Sequence, residues 1–484
     1  MFAEPRKWRR LRTICLSLVG PFLAPLMVFL PVGPAVAQVG PDVIVGGTAV
    51  SGFNGSNQND TVKWGAFGDI TAYSIATTSC NKGDMNLAWV DTTRFHPVIG
   101  GNMFRLKDGR FEHIGQSWLK HAFCALSETL CGSCSGTPCS SLGVGCSDPY
   151  TASRNGTQSL LGPKYQVNAA TGFFTWPHPT PSGNATIRGR LQVQTDDVTP
   201  SLNPGALYFV EAQYVTEDDA TWGHKNNNAS WREVTISSSL FLTTSGPTMQ
   251  EEPGILAWLA HDPGVTMGKI SVQNDGLFWV GYSVTDEGGG LWHYEYAIQN
   301  LNSDRSGQSF SIPIPAGVNV SNIGFHDVDY HSGDGIGGVD QDGTDWPGVL
   351  AGGSLTWATT DFNTNPNANA LRWGTLYNFR FDADVPPTSG TATFGLFKPP
   401  DPGDPTSQTV ALQVPSVPVG CSCMGNLDGS TAVDGGDIQF FVDMAVNGLP
   451  VDPCAELAVP NEVPLDMDDV NEMVTLLLTG TTCP

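Results

Sequence analysis

Two stretches of this chain set oxygen- and nitrogen-bearing side chains at spacings that suit metal chemistry. The first runs from Asn426 to Asp437. Calcium takes about six to eight oxygen ligands, and a loop of about 12 residues can deliver them from alternate positions and from its last residue. Here those positions hold Asn426, Asp428, Ser430, the Ala432 carbonyl, Asp434 and Asp437, and each offers oxygen. The second stretch carries His326, Asp327, Asp329 and His331, followed by Asp340, Asp342 and Asp345. On a strand, Asp327, Asp329 and His331 share one face and His326 takes the other. Such a set could ligate zinc or another transition ion. The Asp-Gly-rich run after it could hold calcium, or the whole stretch could be a polar loop built on Asx turns.

Other chemistry is thinly marked. There is no Gly-x-Ser-x-Gly, no His-Glu-x-x-His and no phosphate-cradling loop. Two carboxylates could serve glycoside hydrolysis, but too many Asp and Glu are present for the sequence to choose a pair. Trp176, Trp222, Trp231 and Trp346 could stack on sugar rings if exposed, although burial in a β core is the commoner use of tryptophan. The spacing of Cys131, Cys134, Cys139 and Cys146 has the look of a metal cluster, but the small polar residues between them favour a disulfide-stapled loop.

The loop at 426–437 belongs to a worn duplication. The segment Asp437–Gly448 returns as Asp469–Gly480, and each copy follows an Asp-rich turn. Ile438, Phe441, Val442 and Ala445 lie at helical spacing in the first copy, and Val470, Met473, Val474 and Leu477 do so in the second. From Cys421 onward there is no Lys or Arg. The loop of the second copy, Ala458–Asp469, has lost ligands. Ala458 and Pro460 supply no side-chain oxygen, and Glu462, Asp466 and Asp469 remain.

Residues 421–484 therefore resemble a dockerin, a pair of loop–helix repeats related to half an EF-hand. The resemblance implies calcium as cofactor, a cohesin-like or cell-surface protein as partner, and a host protein that acts on or near polysaccharide. Three departures bear on it. Asn426 replaces an aspartate, Ser430 occupies another ligand position, and Thr431 stands where a sharp turn favours glycine. The expectation is one calcium, in the first loop, of modest affinity. Gly435-Gly436 and Met467-Asp468 stand where family members carry their partner-choosing residues, and they differ from the polar pairs common there. The other reading of the module is a self-contained cap or a cell-surface attachment.

The elements that would carry these sites follow from pattern and composition. Arg6, Lys7, Arg9, Arg10 and Arg12 precede an apolar run from Ile14 to about Val32, and Ala35-Val-Ala37 offers a cleavage site. This reads as a secretory signal cut near Ala37, with no membrane span afterwards. Its removal takes away five basic residues and one acidic residue, so the formal charge moves from −24 to −28. A surface so acidic repels nucleic acid and attracts divalent cations. Ten cysteines remain, six between Cys80 and Cys146 and four from Cys421 onward, which suggests two disulfide groups.

The expected class is mainly β, in three parts. Residues 38–249 form a disulfide-stapled, β-rich (α+β) unit, with one helix near 114–130 where Ile114, Trp118, His121, Ala125 and Leu126 recur at about helical period. Strand-like runs lie at 186–194 and 206–215. Residues 250–417 read as an antiparallel β-sandwich with strands near 255–259, 277–284, 292–298, 310–314, 355–358, 376–381 and 392–397. Trp292, Tyr294, Tyr296 and Ile298 alternate with His293, Glu295 and Ala297, which predicts one buried face and one wet face. Residues 415–420 suit a stiff linker into an all-α tail at 421–484. The stretch Asn365–Asp382 resembles segments of uncharacterised secreted proteins of planctomycete-type bacteria. The leading expectation is a secreted or cell-surface protein with β-rich interaction domains. The alternative is a polysaccharide-degrading hydrolase with an unrecognised catalytic module.

Overall fold

A computed structural model describes residues 39–47, 60–121, 124–157, 161–177, 182–416, 423–428, 430, 432–447, 453–455, 465 and 467–480. The signal-like segment at 1–37 and the second carboxylate loop, apart from Leu465, Met467, Asp468 and Asp469, lie outside the described residues.

The fold is mainly β, as the sequence predicts. In the first half, eight strands form the main path of one ten-stranded curled sheet, a half-barrel: β1 (Thr61–Phe67), β2 (Ile70–Ile75), β3 (Val98–Lys107), β4 (Arg110–Gln116), β5 (Leu191–Gln194), β6 (Leu207–Val215), β7 (Ala229–Ile236) and β8 (Leu242–Met249). Their order is β8-β7-β6-β3-β4-β5-β2-β1. The sheet curls until its two edges meet. Thr61 Oγ1 donates to the Leu242 carbonyl at 2.6 Å, and Tyr73 Oη donates to the Leu240 carbonyl at 2.9 Å. Tyr73, Ile75, Ile99, Met103, Val210, Tyr214 and Val234 fill the concave side. Three disulfides, Cys80–Cys131, Cys124–Cys139 and Cys134–Cys146, staple the loops beside it, so these cysteines are paired with one another instead of holding a metal.

The helix expected over 114–130 is not formed. Ile114 lies in β4, and Leu119–His121 is a short strand that pairs with Val98 and Ile99. A short apolar run buried on both sides carries no readable period. Gly115 also shows why a strand is required, because a Cβ there would lie 2.5 Å from the Gln192 carbonyl oxygen of the neighbouring strand.

The second half is a two-sheet antiparallel sandwich. One sheet has the order β9-β10-β11-β16-β13, built from β9 (Thr266–Ser271), β10 (Leu277–Gly288), β11 (Leu291–Asn300), β13 (Val320–His326) and β16 (Thr375–Ala383). The other has the order β14-β15-β12-β17-β18, from β12 (Gly307–Pro313), β14 (Gly348–Ala351), β15 (Ser354–Ala358), β17 (Pro387–Leu396) and β18 (Ser407–Pro415). Phe278, Tyr294, Tyr296, Phe310, Trp357, Phe379, Phe381 and Phe394 meet between them. The run at 255–259, read as a strand, is instead α1 (Leu256–His261), where helix-forming Leu and Ala carry Trp258 into the core.

The outer face of β11 is also buried, contrary to the alternation argument. Glu295 and Ala297 are covered because the half-barrel packs there, with Phe104, Phe111, Phe209 and Trp231 against Ala297, Leu376 and Trp258. Local alternation reports which residues share a face, and only long-range packing decides whether that face meets water. His293 at the edge stays partly exposed.

The tail contributes two helices, α2 (Gly435–Asn447) and α3 (Met467–Thr479). Val433, Phe441 and Met473 are buried, with Leu465, Val470 and Leu477 packed against them. Cys423 and Cys454 are both disulfide-bonded.

Candidate functional site

The acidic loop closes on its own backbone. Asp437, at the start of α2, is fully buried. One carboxylate oxygen accepts from the backbone N–H groups of Leu427 and Asp428 at 2.5 and 3.0 Å, and the other accepts from Asp434 N–H at 2.8 Å. Asp428 Oδ1 accepts from Ser430 N–H, and Asp434 Oδ1 accepts from Gly436 N–H. Asn426 Nδ2 donates to the Ser430 carbonyl, and Ser430 Oγ donates to the Ala432 carbonyl. A Cβ at Gly436 would lie 2.5 Å from Asp428 Oδ2 and 3.2 Å from Asp434 Oδ1, so glycine there lets two carboxylates approach the helix start. The donor set is all oxygen and half of it is carboxylate, which fits a hard cation such as calcium. Among the described residues no three His, Cys, Asp or Glu side chains are gathered at one point for a metal.

The helices above this loop divide their apolar residues between two sides. Phe441 and Met473 face inward, while Ile438, Val442 and Val446 on α2, and Met467, Val474 and Leu478 on α3, are exposed. Val446 is 75% exposed and Leu478 83%. Spacings of four residues on α2, and of seven and four on α3, set each group along one side of its helix.

The structure sends the four residues of the second stretch in different directions. His326 ends β13 and lies near Glu112 and Asp197 of the half-barrel. The carboxylate of Asp327 accepts from Asn369 Nδ2, and burial, with Asp345 and Asp329 nearby, pushes its carboxyl up to about 7. Asp329 turns to the half-barrel, where its carbonyl accepts from Gln116 Nε2 at 2.8 Å and its carboxylate from Gln194 Nε2 at 2.7 Å. His331 is buried and donates from Nε2 to the Gln116 carbonyl at 2.9 Å, and burial holds its ring down to about 4. Asp329 and His331 thus strap the sandwich to β4 and β5.

Sequence reasoning did not find the most heavily desolvated polar groups, which line the seam between half-barrel and sandwich. Glu211 on β6 is wholly buried. It accepts from Asn102 Nδ2 at 2.6 Å, Gly254 N–H at 2.5 Å and Gln299 Nε2 at 2.7 Å. Burial raises its carboxyl above the ordinary range. Lys164 donates to Asn102 Oδ1 and the Gly374 carbonyl, each at 2.9 Å, and to Gln116 Oε1 at 3.3 Å. Burial pushes its ammonium down to about 7. His113 accepts from Leu376 N–H, and Asn378 donates to the Phe111 carbonyl. The one signal available was Glu211, the lone carboxylate in a largely apolar strand.

Two small cavities border Ser117 and Trp118. One, lined by Ser74, Thr77, Lys120, Asn155 and Arg190, holds no carboxylate, and the other, lined by Lys164, Tyr330, Asp334, Gln341 and Arg372, holds one. Of the four tryptophans considered for sugar stacking, Trp231 and Trp346 are buried and Trp176 lies against His121. Trp222 is exposed and lies over Gly40. A second exposed aromatic feature is Arg94, whose guanidinium sits over Phe95 at 4.3 Å and Phe173 at 5.0 Å and pairs with Glu217.

No family model and no curated protein matches this sequence. Among the described residues no helix is long and apolar enough to cross a membrane, and the disulfides are consistent with an extracellular protein.

Proposed function

We propose that this is a secreted or cell-surface protein whose β-rich body is attached through its C-terminal loop–helix pair. Calcium would be held by Asp428, Ser430, the Ala432 carbonyl, Asp434 and Asp437, with Asn426 at the loop entrance. The observation that carries this reading is the pair of exposed apolar rows on α2 and α3 above an acidic loop. Small soluble modules rarely leave such rows uncovered unless a partner fills them. The ion would tie the loop together and so fix the angle at which α2 leaves it. The partner is a protein of the cell envelope or a cohesin-like module. The body, with Trp222 and the Arg94–Phe95–Phe173 cluster on its surface, contacts polysaccharide or other macromolecules.

The test is binding of the full chain to isolated cell envelopes with and without calcium. Binding that requires calcium, is reversed by a chelator and is lost in Leu478→Asp supports the reading. Equal binding by the wild type and Leu478→Asp, or equal binding with and without the chelator, contradicts it.

A further inference from the structure

We propose that Lys164 and Asn102 form a side-chain amide cross-link, an intramolecular isopeptide bond, with Glu211 as the proton-handling group. Three observations carry this. Lys164 Nζ lies 2.9 Å from Asn102 Oδ1, so the amine is already against the amide it would attack. Asn102 Nδ2, the nitrogen that must leave, lies 2.6 Å from Glu211 Oε1. All three side chains are buried, with Asn102 and Glu211 directly paired across β3 and β6. Such a grouping holds reactants in contact and keeps water out, which is how positioning lowers a barrier.

The surroundings favour the reactive protonation states. A buried lysine is more easily a free amine and a buried glutamate more easily a carboxylic acid. The pair then holds one proton on Glu211, beside the departing nitrogen. Trp373 Nε1 donates to the Lys164 carbonyl at 3.0 Å and fixes the backbone from which the amine reaches.

The step balances without any co-reactant. The free amine of Lys164 attacks Cγ of Asn102, and a bond from Nζ to Cγ forms. The Cγ–Nδ2 bond breaks. Glu211 gives its proton to the departing nitrogen and takes one from the lysine nitrogen, so ammonia leaves and Glu211 ends as it began. The product is a secondary amide closing a 62-residue segment.

The molecule carries its own control. Lys120 is also buried and donates to Asn155 Oδ1, but Asn155 Nδ2 is spent on the Ile75 carbonyl at 2.8 Å and Thr77 Oγ1 at 3.2 Å. Asp148, the nearby carboxyl, accepts instead from Leu126 N–H. That pair lacks an acid on its leaving nitrogen and should stay unlinked.

The experiment is peptide mapping by mass spectrometry of the full secreted chain after reduction. The expected result is one peptide joining the Asn102 and Lys164 segments, lighter by one ammonia than their sum, with the Lys120 and Asn155 peptides separate. Glu211→Gln should return Asn102 and Lys164 to separate peptides. Recovery of the two unlinked in the wild type would overturn the proposal. A cross-link persisting in Glu211→Gln would overturn the role given to that carboxyl. The wild-type map reads the bond directly, so the cross-link stays testable even if the variant folds poorly.

Discussion

The seam and the tail both place a buried carboxylate among hydrogen-bond donors, but they do so with different parts of the chain. Glu211 is satisfied by Asn102, Gly254 and Gln299, which arrive from β3, the turn before α1, and β11. Asp437 is satisfied by the N–H groups of Leu427, Asp428 and Asp434, all within its own loop. The first arrangement exists only when half-barrel and sandwich are docked. The second needs about one loop of chain. A carboxylate held by distant side chains locks a tertiary structure, whereas one held by local backbone shapes a loop that an ion or a partner can then use.

The sharpest way to break this contrast is to remove each carboxylate. Glu211→Ala strips the acceptor from three buried donors, Asn102 Nδ2, Gly254 N–H and Gln299 Nε2, and each buried group left unsatisfied costs about 1–3 kcal/mol. Urea unfolding of the full chain should show this as an early, cooperative loss of both the half-barrel and the sandwich. Unfolding of the sandwich alone would show that the seam does not couple them.

Titration is expected to have the next largest effect. Asp148, Asp219, Asp327 and Asp334 are raised by burial to about 7. A carboxyl raised in the folded state binds more protons there than in the unfolded chain, so it costs stability as pH rises from about 4 to 7. His331, held down to about 4, and His113, also lowered by burial, work in the opposite direction over part of that range, but they are two groups against four. Burial lowers the ammonium of Lys120, which stays unlinked, so the folded state binds fewer protons and gains stability as pH rises toward 10.5. The body should be least stable near neutrality. Melting temperatures from pH 4 to 10 check this, and Asp334→Asn should flatten the acid limb.

Asp437→Ala should cost less, about 1–2 kcal/mol, because the N–H groups it frees, those of Leu427, Asp428 and Asp434, lie in a partly exposed loop beside α2. Circular dichroism should show lost helix while the melting of the body is unchanged. The smallest expected effect is on the exposed rows. Leu478→Asp should change stability by no more than about 0.5 kcal/mol, seen in the same melting experiment, although it should abolish attachment.

The same division explains what the sequence made legible. The sandwich strands around Tyr294, Phe310, Trp357, Phe379 and Phe394 could be read because aromatic and branched residues alternate there between turns. The tail could be read because its information is local: Val433, Phe441, Leu465 and Met473 pack as their spacing predicts. Ile438, Val442 and Val474 shared that predicted apolar face but stand exposed. Ile114 and Trp118 misled because burial on both sides of β4 erased the period that separates helix from strand. The wet face expected for Glu295 and Ala297 failed for a related reason, since nothing in β11 announces that Phe104 and Phe111 will cover it. Lys164, Asn102 and Glu211 have no mutual spacing at all. Asn102 and Glu211 meet through the pairing of β3 with β6, and Lys164 reaches them from a short turn at 164–166, a long-range property that local pattern does not carry.

We propose that the C-terminal loop is an ion-organised attachment device. It is tested most directly by calcium titration calorimetry of the full chain beside Asp434→Ala/Asp437→Ala. One modest-affinity site is expected in the wild type and none in the double variant. No binding heat in the wild type, or the same heat in both proteins, would contradict it.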